Sequence, residues 1–493
     1  MTEITNKNTK DEQQCLFKEK LSKKQARNNK KDEKQAYKLE RKKQKEFEKQ
    51  NGKKLKTKGK QQKFKFKKNK PVETSGEWFR LDNAATIYPA VVDKTWMFVY
   101  RISAVLVDHI KPSVLQKAVD DVLPRFPTFN VSIRHGLFWW YFEKRNISVK
   151  IEQEHTFPCQ PFEFGAGKSL IRFLYYNNRI SFECFHALAD GRGAMLLFNT
   201  LIRRYLELCG VKIEGFEGCL NFKDMPQAEE QEDAFFVYRN SGAKNKLKEK
   251  KAFKIKGDAE EACVINTLNV VMNTQNLKTV AKSFGAGIYA YLCACIAFSL
   301  YKRNKFAKKP IKISVPIDLR QFFESQTLRN FSSYINVEIA TNGAEFEFED
   351  VLEVFKQEFK KINKEYLLGN INANTAIQKN VFIKVLPRVV KDFVMKICFK
   401  KLGEDYQTLA FSNLGLVATP PEFAEYIERY EVNLGRNKYN NKSVGLVSFA
   451  DTAVLTISSK IQDNTFERDL CRLIAKHGVE AVIESNRRDK YAR

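Results

Sequence analysis

Apolar positions are sparse and unpatterned through residues 1–72 and become periodic only after Pro71. From there, stretches of period two alternate with stretches of period near 3.6, which is how strands interleaved with helices read in sequence. Alternating or continuous apolar runs predict strands over Thr95–Val107, Leu137–Phe142, Leu170–Tyr176, Arg179–His186, Lys312–Val315, Leu409–Phe411, Ser443–Phe449 and Val454–Ser459. Helical spacing predicts helices over Lys111–Phe126 (Pro112 in its first turn), Gly191–Cys209, Leu277–Phe284, Ile288–Tyr301, Asp350–Leu367 and Phe466–His477. In the second of these Leu197, Leu201, Tyr205 and Leu208 share a face. Asn177-Asn178 between two strands suits a two-residue hairpin, because Asn tolerates positive φ.

The pattern divides the 493 residues into a tail (1–72), a first folded unit (73–215), a charge-rich linker or crossover (216–258) and a second folded unit (259–493). The mixture is α/β, and no internal sequence repeat is evident. Charge sharpens the division. Residues 1–70 hold 26 Lys and Arg against 9 Asp and Glu, a net +17 of the chain's +27. The tail has too few apolar residues to offset ordering entropy and reads as disordered or loosely helical. It is either a solvated extension or a weak, salt-sensitive contact for nucleic acid or another anionic surface.

The polar N-terminus lacks the apolar segment of a secretory signal. The longest apolar stretch, Ala286–Tyr301, is 16 residues long and suits a buried helix better than a transmembrane segment. A cytoplasmic location is expected. The 10 cysteines lack metal-ligand spacing; the one close pair, Cys293 and Cys295, falls on different faces of a helical run. Free thiols, no metal and no permanently bound cofactor are therefore expected. No Walker sequence or Gly-x-Gly-x-x-Gly fingerprint is present. Trp139-Trp140-Tyr141-Phe142 reads as a buried strand or, alternatively, as a stacking surface for substrate.

The chemistry concentrates in one place. Ile180, Phe182 and Cys184 share a strand face, and His186 ends it. An imidazole at a strand end, with an ordinary pKa of about 6.5, is suited to proton abstraction near neutrality. Gly191 and Gly193 let the following turn come close to a ligand. Asp190 either caps the next helix or pairs with a buried Arg. A His on an apolar face is also a common core residue, and Asp before Gly a common cap. The combination in a strand–turn–helix setting is what distinguishes the segment.

Phe185-His186-Ala187-Leu188-Ala189-Asp190-Gly191 resembles the His-x-x-x-Asp-Gly motif of the CoA-dependent acyltransferase superfamily. That group includes chloramphenicol acetyltransferase, peptide-synthetase condensation domains and alcohol acetyltransferases. Arg80-Leu81-Asp82-Asn83-Ala84-Ala85-Thr86-Ile87-Tyr88-Pro89, Phe126-Pro127-Thr128-Phe129, Val315-Pro316-Ile317-Asp318-Leu319-Arg320, Thr327-Leu328-Arg329-Asn330-Phe331, Ser412-Asn413-Leu414-Gly415 and Ile483-Glu484-Ser485-Asn486 are similar to blocks of bacterial alcohol-acetyltransferase-like proteins. The resemblance spans about residues 77–487. It implies two chloramphenicol-acetyltransferase-like subdomains, each a mixed sheet with flanking helices, and a channel between them.

By that resemblance His186 is the general base, acyl-CoA (acetyl-CoA) the co-substrate and a small alcohol or amine the acceptor. Asp190 orients the motif, and Arg320 is its candidate partner. Ser412 and Asn413 are either oxyanion-stabilising groups on the far side of the channel or a polar turn after a strand. Two departures are visible: Phe185 stands where many members have a second His, and the Asp-Phe-Gly-Trp-Gly motif of the plant branch is absent. The alternative is a non-catalytic binding protein on the same fold, docked by its basic tail.

Overall fold

The computed structural model describes residues 78–93, 96–145, 148–240, 242, 245, 249–379, 385–435 and 438–487. The tail of residues 1–72, and whatever it binds, lies outside them. The chain builds two large sheets and one small one, with helices packed on them.

The first large sheet orders its five strands as Ile427–Leu434, Val99–Leu106, Arg179–Phe185, Ile171–Tyr176 and Ile151–Gln153. The Asn177-Asn178 hairpin joins the third and fourth, with Asn177 at φ 50°. The second sheet orders seven strands as Ser332–Ile339, Ile311–Asp318, Leu409–Leu416, Lys442–Phe449, Thr452–Ser459, Asn266–Asn273 and Ala481–Ser485. Leu409–Leu416 runs parallel to both of its neighbours, so this sheet is mixed. Trp78–Arg80, Trp140–Lys144 and Val131–His135 form the third sheet.

One connection ties the halves together. After Leu409–Leu416 the chain leaves the seven-stranded sheet and adds Ile427–Leu434 antiparallel to Val99–Leu106. It then returns as Lys442–Phe449. The central strands of the first sheet are buried on both faces, and Val99–Leu106 is buried throughout; one face is apolar, whereas the other buries Arg101 paired with Glu183 at 2.7 Å and Ser103 hydrogen-bonded to Ser181 at 2.9 Å.

Helix Pro112–Val122 starts on Pro112, whose fixed φ and missing N–H suit a first turn. Helix Gly191–Leu208 buries Leu197, Leu201 and Tyr205, whereas Leu208 is only half-buried. Helix Ile288–Asn304 is enclosed continuously from Ala290 to Tyr301, which explains its all-round apolar composition. Among the described residues no single helix is long and apolar enough to cross a membrane.

Several elements differ from the sequence pattern. The strand expected over Thr95–Val107 begins at Val99, and Thr95 lies outside the described residues. The aromatic strand expected over Leu137–Phe142 is shifted to Trp140–Lys144; Leu137, Phe138 and Trp139 form an exposed turn, since Gly136 N bonds Trp139 O at 2.8 Å. The helix expected over Asp350–Leu367 breaks into Phe348–Lys360 and Lys364–Lys379. Asn363 Oδ1 accepts from Tyr366 N at 2.9 Å there and starts a new helix. Strands Val131–His135, Asn266–Asn273, Ser332–Ile339 and Ile427–Leu434, and helix Arg388–Leu402, were not visible in the periodicity.

The charge-rich segment after residue 215 is anchored to the first half at one point. Glu230 is buried in a bidentate pair with Arg125, at 2.6 and 2.5 Å.

Candidate functional site

Strand Arg179–Phe185 delivers His186 to the edge of the first core. Every residue from Ile180 to Asp190 is buried except His186, which is partly exposed. Its backbone N–H donates to Phe98 O at 2.7 Å, so the strand pairing holds its main chain. The imidazole stacks on Tyr88, with centroids 4.9 Å apart and planes at 24°. It meets Tyr100 edge-on at 5.1 Å. Two aromatic walls therefore fix the ring plane.

The ring's rotation is fixed by Asn330, whose Oδ1 lies 3.1 Å from His186 Nδ1. Asn330 Nδ2 points the other way, toward Asp82 Oδ2 at 3.3 Å and Ala187 O at 3.5 Å. An amide oriented by two acceptors presents its oxygen to the imidazole, and an oxygen there calls for a proton on Nδ1. The basic lone pair is then on Nε2. Nε2 has no partner among the described residues and is not one of the buried unpaired polar atoms. Burial lowers the His186 pKa below its ordinary value, opposed by hydrogen bonding to its own main chain, by the charge of Asp190 and by Asn330. Burial thus favours the neutral form of the ring.

The turn after His186 is held by Asp190. Its Oδ1 accepts from Gly193 N at 3.1 Å, capping helix Gly191–Leu208. Its Oδ2 accepts from Arg320 Nη1 and from Phe331 N, both at 2.8 Å. The two sequence alternatives for Asp190, cap and ion pair, coexist. Tyr100 Oη reaches Ala189 O at 3.0 Å and locks the same turn from the sheet side.

Arg320 is itself braced. Nη1 also meets Asp318 Oδ1 at 3.0 Å, and Nη2 donates to Thr327 O at 2.8 Å and Arg329 O at 2.6 Å. It thereby folds the Thr327–Phe331 loop over the motif. The loop passes so close that a Cβ on Gly193 would lie 2.0 Å from Leu328 O. Asp82 supports the loop from below, with Oδ2 3.5 Å from Arg329 Nε. Burial raises the Asp82 pKa despite that arginine.

Of the other residues singled out by sequence, Gly191 lies beneath Leu414: a Cβ there would be 2.4 Å from the Leu414 side chain. Strand Leu409–Leu416 therefore does approach the motif. Asn413 Oδ1 is engaged locally by Gly415 N at 2.8 Å, and Ser412 sits opposite Gly445 in the ladder. Asn330, Asp82, Tyr88 and Tyr100 were not singled out as site residues. Asn330 and Asp82 belong to blocks noticed in the sequence, but nothing local in either block shows that they meet His186.

No group of three or more His, Cys, Asp or Glu suited to a metal ion occurs among the described residues, and the described cysteines are free thiols. A small cavity of about 30 Å³, lined by Asn440, Lys442 and Ser459 among others, shares no lining residue with the His186 site and is of water size.

The mixed sheets, the crossover strand and the flanking helices make up the chloramphenicol-acetyltransferase-like fold of condensation domains. Among solved structures, polyketide synthase associated protein 5 from Mycobacterium tuberculosis superposes with TM-score 0.55 at 13% identity, covering 81% of this chain and 97% of that one. The first condensation domain of the CDA synthetase gives TM-score 0.53 at 11% identity, over 82% of this chain and 95% of its own. A substituted starter condensation domain of rhizomide synthetase, in complex with C8-CoA and Leu-SNAC, gives 0.50 at 11%, over 81% and 94%. At such identities the likeness is one of fold. No family model and no curated protein matches the chain.

Proposed function

We propose that the chain is an acyltransferase that moves an acyl group, acetyl in the simplest case, from CoA to an alcohol or amine, as alcohol acetyltransferases do. His186 is the general base. The observation that carries this reading is the isolation of His186: one partly exposed residue in a buried run, with Nδ1 committed to Asn330 and Nε2 open. The rhizomide synthetase domain, which shares the fold, is complexed with an acyl-CoA and an aminoacyl thioester analogue, and this supports a thioester donor.

In the proposed reaction Nε2 takes the proton of the acceptor O–H or N–H as that atom attacks the thioester carbonyl. The tetrahedral intermediate collapses with cleavage of the C–S bond. The thiolate leaves and takes the proton from the imidazolium, so base and acid steps balance. Asp190 and Arg320 hold the turn and have no direct part in proton transfer. The Ser412 hydroxyl or the Asn413 amide is the candidate donor to the oxyanion, an interaction worth about 3–4 kcal/mol in well-studied sites.

The test is release of free thiol from acetyl-CoA and longer acyl-CoAs against a panel of alcohols and amines, beside His186→Ala. The expected result is turnover by the native chain and a loss of about 10²–10⁴-fold in the variant, which keeps its circular dichroism and melting temperature. Equal rates would remove His186 as base. Failure to release thiol from any donor would leave the fold as a binding scaffold.

A further inference from the structure

Helix Arg388–Leu402 exposes an apolar face on which none of the described residues packs. Val389, Val390, Phe393, Val394 and Ile397 are exposed, with Val389 68% and Phe393 66% accessible. Positions one, four, five and eight apart fall on one side of a helix, so these form a single stripe. Lys396, Lys400 and Lys401 stand exposed at the C-terminal end of the same side. The helix's one acidic residue, Asp392, is paired with Arg388 at 2.6 Å and accepts from Trp140 Nε1 at 3.1 Å.

The stripe continues into the aromatic turn. Arg388 N donates to Leu137 O at 2.9 Å, and Lys391 Nζ donates to Phe138 O at 3.0 Å while covering the Trp139 ring. Leu137 is 73% exposed, and Phe138 and Trp139 42% each. Two elements far apart in sequence thus present one surface of aliphatic side chains, Phe, Trp and lysine. Behind it, Met395 and Phe399 pack against the cluster of Ala90, Val91 and Trp96; Phe399 also meets Phe98, and Phe98 packs on Tyr88, which stacks on His186.

We propose that this face docks on an anionic lipid bilayer. An apolar stripe edged by lysines, with Trp at its margin, matches an acyl–headgroup boundary. Charge selects among the occupants. The tail carries net +17 and few apolar residues, so it is repelled by the lysines and has nothing to offer the stripe. A second copy brings the same lysines and a net charge of +27. An anionic headgroup layer complements the lysines while the acyl chains take up the stripe. This goes beyond the acyl-transfer reading and does not depend on turnover.

The test is sedimentation of the full chain with vesicles of phosphatidylcholine and phosphatidylglycerol in equal parts, and of phosphatidylcholine alone, at physiological salt. The expected result is binding to the anionic vesicles, with a blue shift of tryptophan emission that Trp139→Phe diminishes. Val389→Glu with Phe393→Glu lowers the bound fraction about tenfold or more without changing the melting temperature. Three results overturn the proposal: native protein left in the supernatant; a double variant that binds as the native chain does, which moves the contact to another surface such as the tail; or lipid-free self-association that the double variant abolishes, which makes a second copy the occupant. Vesicle binding and thiol release are separate readouts, so either reading fails without the other.

Discussion

Asp190 Oδ2 and Arg320 Nη1 lie 2.8 Å apart, although 130 positions separate them in the chain. The pair pins the first-sheet turn that carries His186 to the second-half loop that carries Asn330. Both side chains are buried, so removing one partner strands the other's charge. Arg320→Ala is expected to cost about 3–5 kcal/mol in urea unfolding. Arg320→Lys should recover only part of it, since one ammonium cannot span two carboxylates and two carbonyls as the guanidinium fork does. A melting curve unchanged in Arg320→Ala would show that the pair holds nothing.

In the proposed reaction Asn330 positions the imidazole, and its removal should be read in the pH profile as well as in the rate. Asn330→Leu deletes the acceptor at Nδ1, so the wrong tautomer becomes populated. A loss of about tenfold in kcat is expected, with little change in KM, which is the size of one hydrogen bond of about 1.4 kcal/mol. The same bond raises the imidazole pKa, so the acid limb should move to lower pH. A purely structural role would change the melting temperature and leave the limb in place.

The lowered His186 pKa sets two pH dependences. The base form prevails above that pKa, so kcat/KM should rise with pH along a limb centred below about 6.5 and be flat at neutrality. In the unfolded chain the ring protonates near its ordinary value, whereas the fold resists protonation. Stability is therefore lost as pH falls below about 6.5 and is fully present above it. His186→Gln should flatten that part of the melting-temperature profile. A limb centred above about 6.5 would contradict the neutral-base assignment.

Two neighbouring glycines should respond unequally. At Gly193 an added methyl meets the Leu328 carbonyl, which belongs to a loop fixed by Arg320. At Gly191 it meets only the flexible end of Leu414. Gly193→Ala is expected to cost about 1–3 kcal/mol or more and to depress activity; Gly191→Ala should cost less than about 1.5 kcal/mol. Denaturant midpoints of the two variants provide the comparison.

The strand–turn–helix that carries His186 was legible because its information is local: alternation to Cys184, the His, and Asp-Gly opening an amphipathic helix. The Asn177-Asn178 hairpin was legible for the same reason. What escaped the pattern is non-local. Asn330 is an ordinary polar residue until the loop folds over Gly193. Ile427–Leu434 carries Glu428, Arg429 and Glu431 among its apolar residues, and only its pairing with Val99–Leu106 makes it a strand. The aromatic run at Leu137 has strand-forming side chains, but the turn at Gly136 moved the strand start to Trp140. Asp350–Leu367 has one continuous helical period, and the Asn363 side chain breaks it.

The crossover strand also bears on how the molecule comes into being. A ribosome finishes the residues flanking His186 early, yet Val99–Leu106 keeps one edge bare until residues 427–434 emerge. The nascent chain must carry that open edge through most of its synthesis. Until then that edge is a template for mispairing with other chains, so a fragment ending before residue 427 is expected to aggregate more readily than the full chain in a sedimentation assay.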